Sequence, residues 1–519
     1  MKSHNLKNIA LVFLASFSLM VIELVAGRVI ARYLGSSLYT WTAVIAVILG
    51  GISLGNYLGG KMADKWEPKK FLGYIFMIAA ILSITIPIVN QAISVMDMLT
   101  KLHWPIRIFL SVVFVFFIPS CALGCISPIV AKMALLEQKD EIGSTVGTLY
   151  AWGAIGSILG TLFTGYFLIA WIGVKAVIVM VSFVLSLLGL WAGPKRWIHG
   201  ILAIILLVAL FLSFTTSEKP KQLAKFLLLQ DREDGLYAHD SAYSFIQIYP
   251  REKDPQLMVL RLDNLIHSYC HPKNPDHLEY DYEQLYAAIT KRVVKDKKNA
   301  RFMFIGGGGY TLPRYLVHNY PDSFVFVAEI DPVVTDVSYK YLGLTDDPRI
   351  ATDNRDGRLV VEELCRKGVE KFDCIYADAY NDLSVPYHLT TYEYLSMIRK
   401  LLKDDGVYLI NIIDIQDKGM FLGATCQTSR AVFPYVRVFA EGASGDPKLR
   451  DTFVAVASPK PLELLDNIGT RDDDYCIVCH ELESDLIDKL RAKTDFLVLT
   501  DDYVPVDRLV SGIIWERRR

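Results

Sequence analysis

Four apolar runs in this chain end on residues that can hold a nucleoside. "RFMFI" leads into Gly306, Gly307, Gly308 and Gly309, and "FVFVA" leads into Glu329-Ile330-Asp331. "RIATD" is followed by "NRDG" with Asp356, and "FDCIYA" ends on Asp378. A glycine turn lets backbone approach a ligand where a side chain would intrude. An acid at the next strand end, Glu329, can accept hydrogen bonds from ribose hydroxyls. Asp356 is placed to meet an adenine amino group, and Asp378 to stand over the middle of the pocket. Each feature alone is ordinary; the four in register read as a nucleoside-binding site. A dinucleotide fold would prefer G-x-G-x-x-G with the helix N-terminus free for a pyrophosphate. Here Tyr310 and Thr311 follow the glycines, Pro313 stands in the first helical turn, and no lysine fits a phosphate loop. Two acids without a phosphate cradle point to S-adenosylmethionine or its decarboxylated form as co-substrate, with no metal.

These ends need elements to position them. Between 301 and 415 the apolar runs alternate with helical segments, which predicts a parallel sheet in a doubly wound, Rossmann-like α/β domain. Its ligands bind beyond the carboxyl ends of the strands. Ahead of it, "SAYSFIQIYP" and "QLMVLRLDNLIHSYC" alternate apolar and polar residues, predicting a small antiparallel sheet, and a helix is expected over 279–294.

The first two fifths of the 519 residues are different. The mean hydropathy of +0.31 is concentrated there. Apolar stretches near 8–31, 38–61, 71–94, 105–133, 143–170, 174–193 and 197–215 each reach the ~20 residues a bilayer crossing needs. The expectation is a membrane α-helical bundle of about seven spans (1–217), a small β-sheet subdomain (218–278) and the α/β domain (279–519). Basic residues in the N-terminal tail and alternate loops (Lys2, Lys65, Lys132, Lys195) place those parts in the cytoplasm of a cell (inner) membrane protein. Seven crossings would leave the polar half outside, whereas a cytosolic co-substrate argues for the cytoplasmic side, which is the expectation taken here. The net charge of −2 gives no hint of nucleic-acid binding, and the eight cysteines form no disulfide-like framework.

Two features of the apolar half invite function. Glycines at four-residue spacing (Gly51, Gly55, Gly59; Gly156, Gly160) either pack helices closely or line a ligand cavity. Glu23, inside the first span with Arg28 and Arg32 one and two turns on, either binds a cationic substrate or pairs with an arginine.

The polar half resembles the spermidine synthases (polyamine aminopropyltransferases), over about residues 236–440. The resemblance rests on "LRLDN", "LEYDYEQL", "IGGGGYTLPRYL", "AEIDPVV", "DNRDG" and "DCIYADAYND". The whole layout is similar to the membrane-fused members of that family. It implies aminopropyl transfer from decarboxylated S-adenosylmethionine to an amine such as putrescine, releasing methylthioadenosine, in an enzyme that often dimerises. By the resemblance Asp378 is the base, Glu279 and Tyr282 hold the acceptor amine, Glu329 is the ribose acid and Asp356 the adenine acid. His267 stands near the nucleoside, where the family has a glutamine. This chain departs from the pattern at Gly309, which replaces the acid that pairs with the donor's propyl ammonium. It departs again at Glu283, where histidine or glutamine is usual, and at Ala379-Tyr380-Asn381, where Asp382 is a substitute for a missing acid. Those departures leave two other readings open: a methyltransferase using intact S-adenosylmethionine on a membrane-delivered substrate, or a polyamine- or nucleoside-binding transporter or sensor. The string "YCIVCHE" spells a haem-attachment pattern, but it also reads as a strand entering a helix.

Overall fold

The computed structural model describes residues 3–94, 96–100, 102–137, 142–194, 196–214, 222–223, 227, 235–263, 265–295, 297–379, 385–441, 446–465 and 479–515. The chain divides into two compact units, Met1–Glu233 with His239–Ala242, and Asp234–Ala238 with Tyr243–Arg519.

Among the described residues the regular structure of the first unit is helical, apart from the strand end His239–Asp240. Five helices are long and apolar enough to cross a membrane: Leu6–Leu34, Leu38–Lys65, Pro68–Ser94, Trp104–Glu137 and Ile142–Ala192. The sequence marks seven apolar stretches, and the difference from five lies in two places. The stretches 143–170 and 174–193 are two helices that meet at a kink, where Gly173 takes φ 77° and ψ 161°, and together they make up the 51 residues Ile142–Ala192. The last apolar helix, Trp197–Ser213, falls short of a full crossing by length. The glycine stripes are packing surfaces. A Cβ at Gly55 would sit 2.2 Å from the Cys121 carbonyl oxygen, and one at Gly59 would sit 2.5 Å from that of Cys125. Gly156 and Gly160 meet the carbonyls of Phe13 and Phe17 in the same way. Such backbone-to-backbone approach is what small residues permit. Arg32 bridges Asp240 at 2.6 Å and Arg28 donates to the Ser241 carbonyl, whereas Glu23 Oε2 is buried with no hydrogen-bond partner among the described residues.

The second unit begins with an antiparallel four-stranded sheet, β1 (Tyr237–Asp240), β2 (Phe245–Arg251), β3 (Asp254–Leu262) and β4 (Leu265–Cys270), in sequential order. Helix Asp281–Val294 follows, with Asp281 and Glu283 in its first turn, where negative charge suits the helix dipole. The main sheet contains β5 (Arg301–Ile305), β6 (Phe324–Ala328), β7 (Ile350–Asp353), β8 (Phe372–Ala377), β9 (Leu402–Ile415), β10 (Tyr435–Ala440), β11 (Arg450–Ser458) and β12 (His480–Glu481). Its order is 12-10-11-9-8-5-6-7, parallel from β7 to β9 and antiparallel beyond. Strand β5 lies inside the sheet and is apolar after Arg301 because both faces are covered. Phe302 and Phe304 pack with helices Asp281–Val294 and Thr311–Asn319; Met303 and Ile305 pack on the other side with Gly357–Lys367 and Tyr392–Leu401. Strand order reverses between β5 and β8, so a crevice opens at their carboxyl ends.

Candidate active site

Each glycine of the turn after β5 answers a different neighbour. Gly306 has φ 97°, and a Cβ there would lie 2.4 Å from the Asp378 carbonyl oxygen. At Gly307 a Cβ would meet the Tyr310 ring at 2.8 Å. Tyr310 itself is fully buried in the left-handed region (φ 54°), its hydroxyl between Thr335 (3.0 Å) and Thr352 (3.2 Å). Gly308 again has positive φ, 48°. At Gly309 the obstruction is Ser268 on β4: its Cβ stands 2.7 Å and its Oγ 2.9 Å from where a Cβ would be, and the Gly309 N–H donates to that Oγ at 2.9 Å. The small sheet therefore closes the back of the turn. Arg314 reinforces this, donating from the next helix to the carbonyls of His271 and Pro272.

Glu329 ties the second strand end to the same turn. Its Oε2 accepts from the N–H groups of Gly307 (2.7 Å) and Gly308 (3.4 Å), and its Oε1 from that of Asp331 (2.9 Å). Burial raises its pKa while these donors pull it back. Asp356 caps helix Gly357–Lys367, accepting from Arg358 N–H at 2.9 Å through Oδ1, and its Oδ2 meets His388 Nε2 at 2.9 Å. Asp378, just past β8, is held on both oxygens: Tyr282 Oη donates to Oδ2 at 3.0 Å and Asn411 Nδ2 to Oδ1 at 2.7 Å. Burial raises this carboxyl, and the two donors partly offset it. Burial and the neighbouring Asp378 charge hold Tyr282 well above the usual phenol range, so it remains a donor.

These groups border two joined spaces. A cleft of about 860 Å³ is lined by His267, Gly306, Glu329, Asp356, Asp378 and His388 among others. A second cavity of about 510 Å³ shares His267, Gly306, Gly308 and Asp378 with it, and adds Tyr282, Glu283 and Thr311. His267 Nε2 is sealed from solvent with no partner among the described residues, and burial lowers the imidazole to about 4, leaving it neutral. Glu283 is buried and pushed up to about 8, first by burial and then by Asp378, with Glu279 and Glu441 adding to it.

The expected residues Gly306, Gly307, Gly308, His267, Tyr282, Glu329, Asp356 and Asp378 thus meet at one crevice. Glu279 lines neither space; its carboxylate is engaged by Arg251 and by His277 (3.0 Å), which occupies the charge an acceptor amine would need. Asp382 and Cys476 lie outside the described residues, and Glu23 belongs to the helical unit. Cys479 is buried and His480 is exposed on β12. Sequence reasoning passed over Asn411, Ser268 and His388. Asn411 carries a readable signal, a lone amide inside the apolar strand "VYLINII"; Ser268 and His388 have none, since their roles come from non-local contacts.

A glycine turn at the switch point, with acids at the ends of the flanking strands, defines the nucleoside-binding class of doubly wound α/β domains. Residues 285–441 match the spermine/spermidine synthase domain. Over 114 residues the chain is 34% identical to a polyamine aminopropyltransferase of Vibrio vulnificus, covering 22% of this chain and 38% of that one. It is 27% identical over 209 residues to polyamine aminopropyltransferase 1 of Aquifex aeolicus, covering 39% and 69% respectively. A probable spermidine synthase from Corynebacterium glutamicum has a similar crystal structure, with a TM-score of 0.44 and 18% identity over 51% of this chain and 96% of that one.

Proposed function

We propose that this protein transfers an aminopropyl group from decarboxylated S-adenosylmethionine to a small amine. The observation that carries it is Asp378, fixed by Tyr282 and Asn411 where the nucleoside cleft meets a cavity that also holds Glu283. Burial, and then the charges of Asp378, Glu279 and Glu441, raise the affinity of Glu283 for a proton, and a cationic amine relieves that repulsion. The carboxylate of intact S-adenosylmethionine would add to the repulsion instead.

In the reaction the acceptor nitrogen attacks the propyl carbon bound to the sulfonium. The new C–N bond forms as the C–S bond breaks, the electron pair goes to sulfur, and neutral methylthioadenosine leaves. The proton lost by the nitrogen passes to Asp378. The sulfonium is a good leaving group already, so alignment of the amine supplies much of the remaining barrier reduction. The glycine turn, Glu329 and the neutral His267 hold the nucleoside; Tyr282 and Asn411 keep Asp378 aimed. We place the helical unit in a bilayer, since its outward faces carry Leu49, Phe114 and Phe211, and the transferase domain on the cytoplasmic side, where the donor is.

A second reading, methyl transfer from intact S-adenosylmethionine, is favoured by Gly309, which leaves the turn without an acid. Purified full-length protein incubated with each donor and putrescine separates the two by mass spectrometry. Methylthioadenosine formed only from the decarboxylated donor supports aminopropyl transfer; S-adenosylhomocysteine overturns it. Asp378→Asn lowers turnover by about 10²- to 10⁴-fold with nucleoside binding nearly intact. A fully active variant would show that Asp378 is not the base. A green fluorescent protein fused at the C-terminus fluoresces if the domain is cytoplasmic, and a dark fusion refutes that side.

A further inference from the structure

The turn after β5 does more than lack an acid: its space is taken. Ser268 stands where any side chain at 309 would go, so a carboxylate must reach the donor's tail from another wall. Glu283 is on that wall. It lies one residue after Tyr282 on helix Asp281–Val294, is 5% exposed, and lines the cavity that adjoins the nucleoside cleft at His267, Gly306, Gly308 and Asp378. Its Oε2 is sealed from solvent and has no hydrogen-bond partner among the described residues. A buried carboxylate oxygen left over is costly unless a cation or donor arrives to meet it.

We propose that Glu283 pairs with the propyl ammonium of the decarboxylated donor, replacing an acid on the glycine turn, and thereby makes the site select that donor over intact S-adenosylmethionine. This rests on the aminopropyl-transfer reading above. Glu283 accordingly acts on donor choice, while Asp378 serves the acceptor nitrogen. Two acids on adjoining walls then meet two different nitrogens, which removes the need for a carboxylate at 309.

The test compares ligands with and without the ammonium on full-length protein in detergent, using isothermal titration calorimetry. Glu283→Gln keeps the side chain's shape and removes its charge, so methylthioadenosine, which has no ammonium, binds as in the wild type. Decarboxylated S-adenosylmethionine weakens about 10- to 100-fold, the usual loss of a hydrogen bond to a charged group. Its preference over intact S-adenosylmethionine shrinks by the same factor. Equal weakening of both ligands, or an unchanged ratio between them, overturns the role of Glu283 while leaving the parent reading standing. Wild-type protein that binds neither nucleoside, or that prefers intact S-adenosylmethionine, sinks the parent reading and this one together.

Discussion

The contact between Ser268 and Gly309 makes a quantitative prediction. Gly309→Ala adds one methyl group 2.7 Å from Ser268 Cβ and 2.9 Å from its Oγ, against the ~3.5–4 Å of ordinary carbon contact. The backbone at 309 has negative φ, so the penalty is steric and not conformational. Over-packing of this size costs about 1–3 kcal/mol. Moving Ser268 aside also loses its 2.9 Å bond from the Gly309 N–H, worth about 1 kcal/mol. The sum, about 2–4 kcal/mol, lowers the midpoint of thermal unfolding by roughly 4–16 °C for a domain of this size. Adding Ser268→Gly removes both clashing atoms, so the double variant recovers the steric part. An interaction term of about 1–3 kcal/mol should therefore separate the double variant from the sum of the singles. The assay is tryptophan-fluorescence melting of the full-length protein in detergent, with and without methylthioadenosine, so that the ligand-stabilised transition reports the transferase domain. Shifts are compared as midpoints because a two-unit chain is not a two-state system. A Gly309→Ala variant that melts with the wild type, or a double variant that merely sums the singles, would refute the claim that Ser268 excludes a side chain there.

Two further expectations concern pH and the helical unit. Glu283 is held at about 8, so below that pH it is protonated in the free site and cannot pair with a cationic donor. Asp378, Tyr282, Tyr280, Tyr286, Glu279, Glu441 and His267 surround it, and of these Asp378 is also raised and must be deprotonated to act as base. Both shifts have the same sign, so kcat/KM rises with pH toward 8; steady-state rates across this range check it, and Glu283→Gln should delete the upper part of the limb. In the helical unit, Gly55→Leu drives a side chain into the Cys121 carbonyl, whereas Gly60→Leu meets nothing within 4 Å. Size-exclusion chromatography in detergent should show aggregation or loss of the first and a wild-type profile for the second; similar behaviour of both would refute close packing at Gly55.

Much of the site is legible in the sequence because a parallel strand advertises itself. "RFMFI", "FVFVA" and "FDCIYA" are almost entirely apolar, Arg301 and Asp373 apart, since both faces are buried, and the residue after each is forced to the ligand edge. The glycine turn, Glu329, Asp356 and Asp378 follow from that local rule, as do the two halves of the chain from hydropathy. What partners each side chain does not follow, because partners come from distant segments. Glu279 was available to an amine by sequence; Arg251, 28 residues earlier, engages it. Asp356 was free to meet adenine; the local helix start and His388 take its oxygens. The glycine stripes favoured packing over a cavity by sequence, and Cys121 and Phe13 pressed against them show the packing. The empty position at 309 shows the division most clearly. Sequence alone determines that no acid stands on the turn, since a residue's identity is local. Only the tertiary structure decides that none would fit there, because Ser268 on a strand 41 residues away fills the space, and that Glu283 on a third element faces the same cavity with an unpaired oxygen.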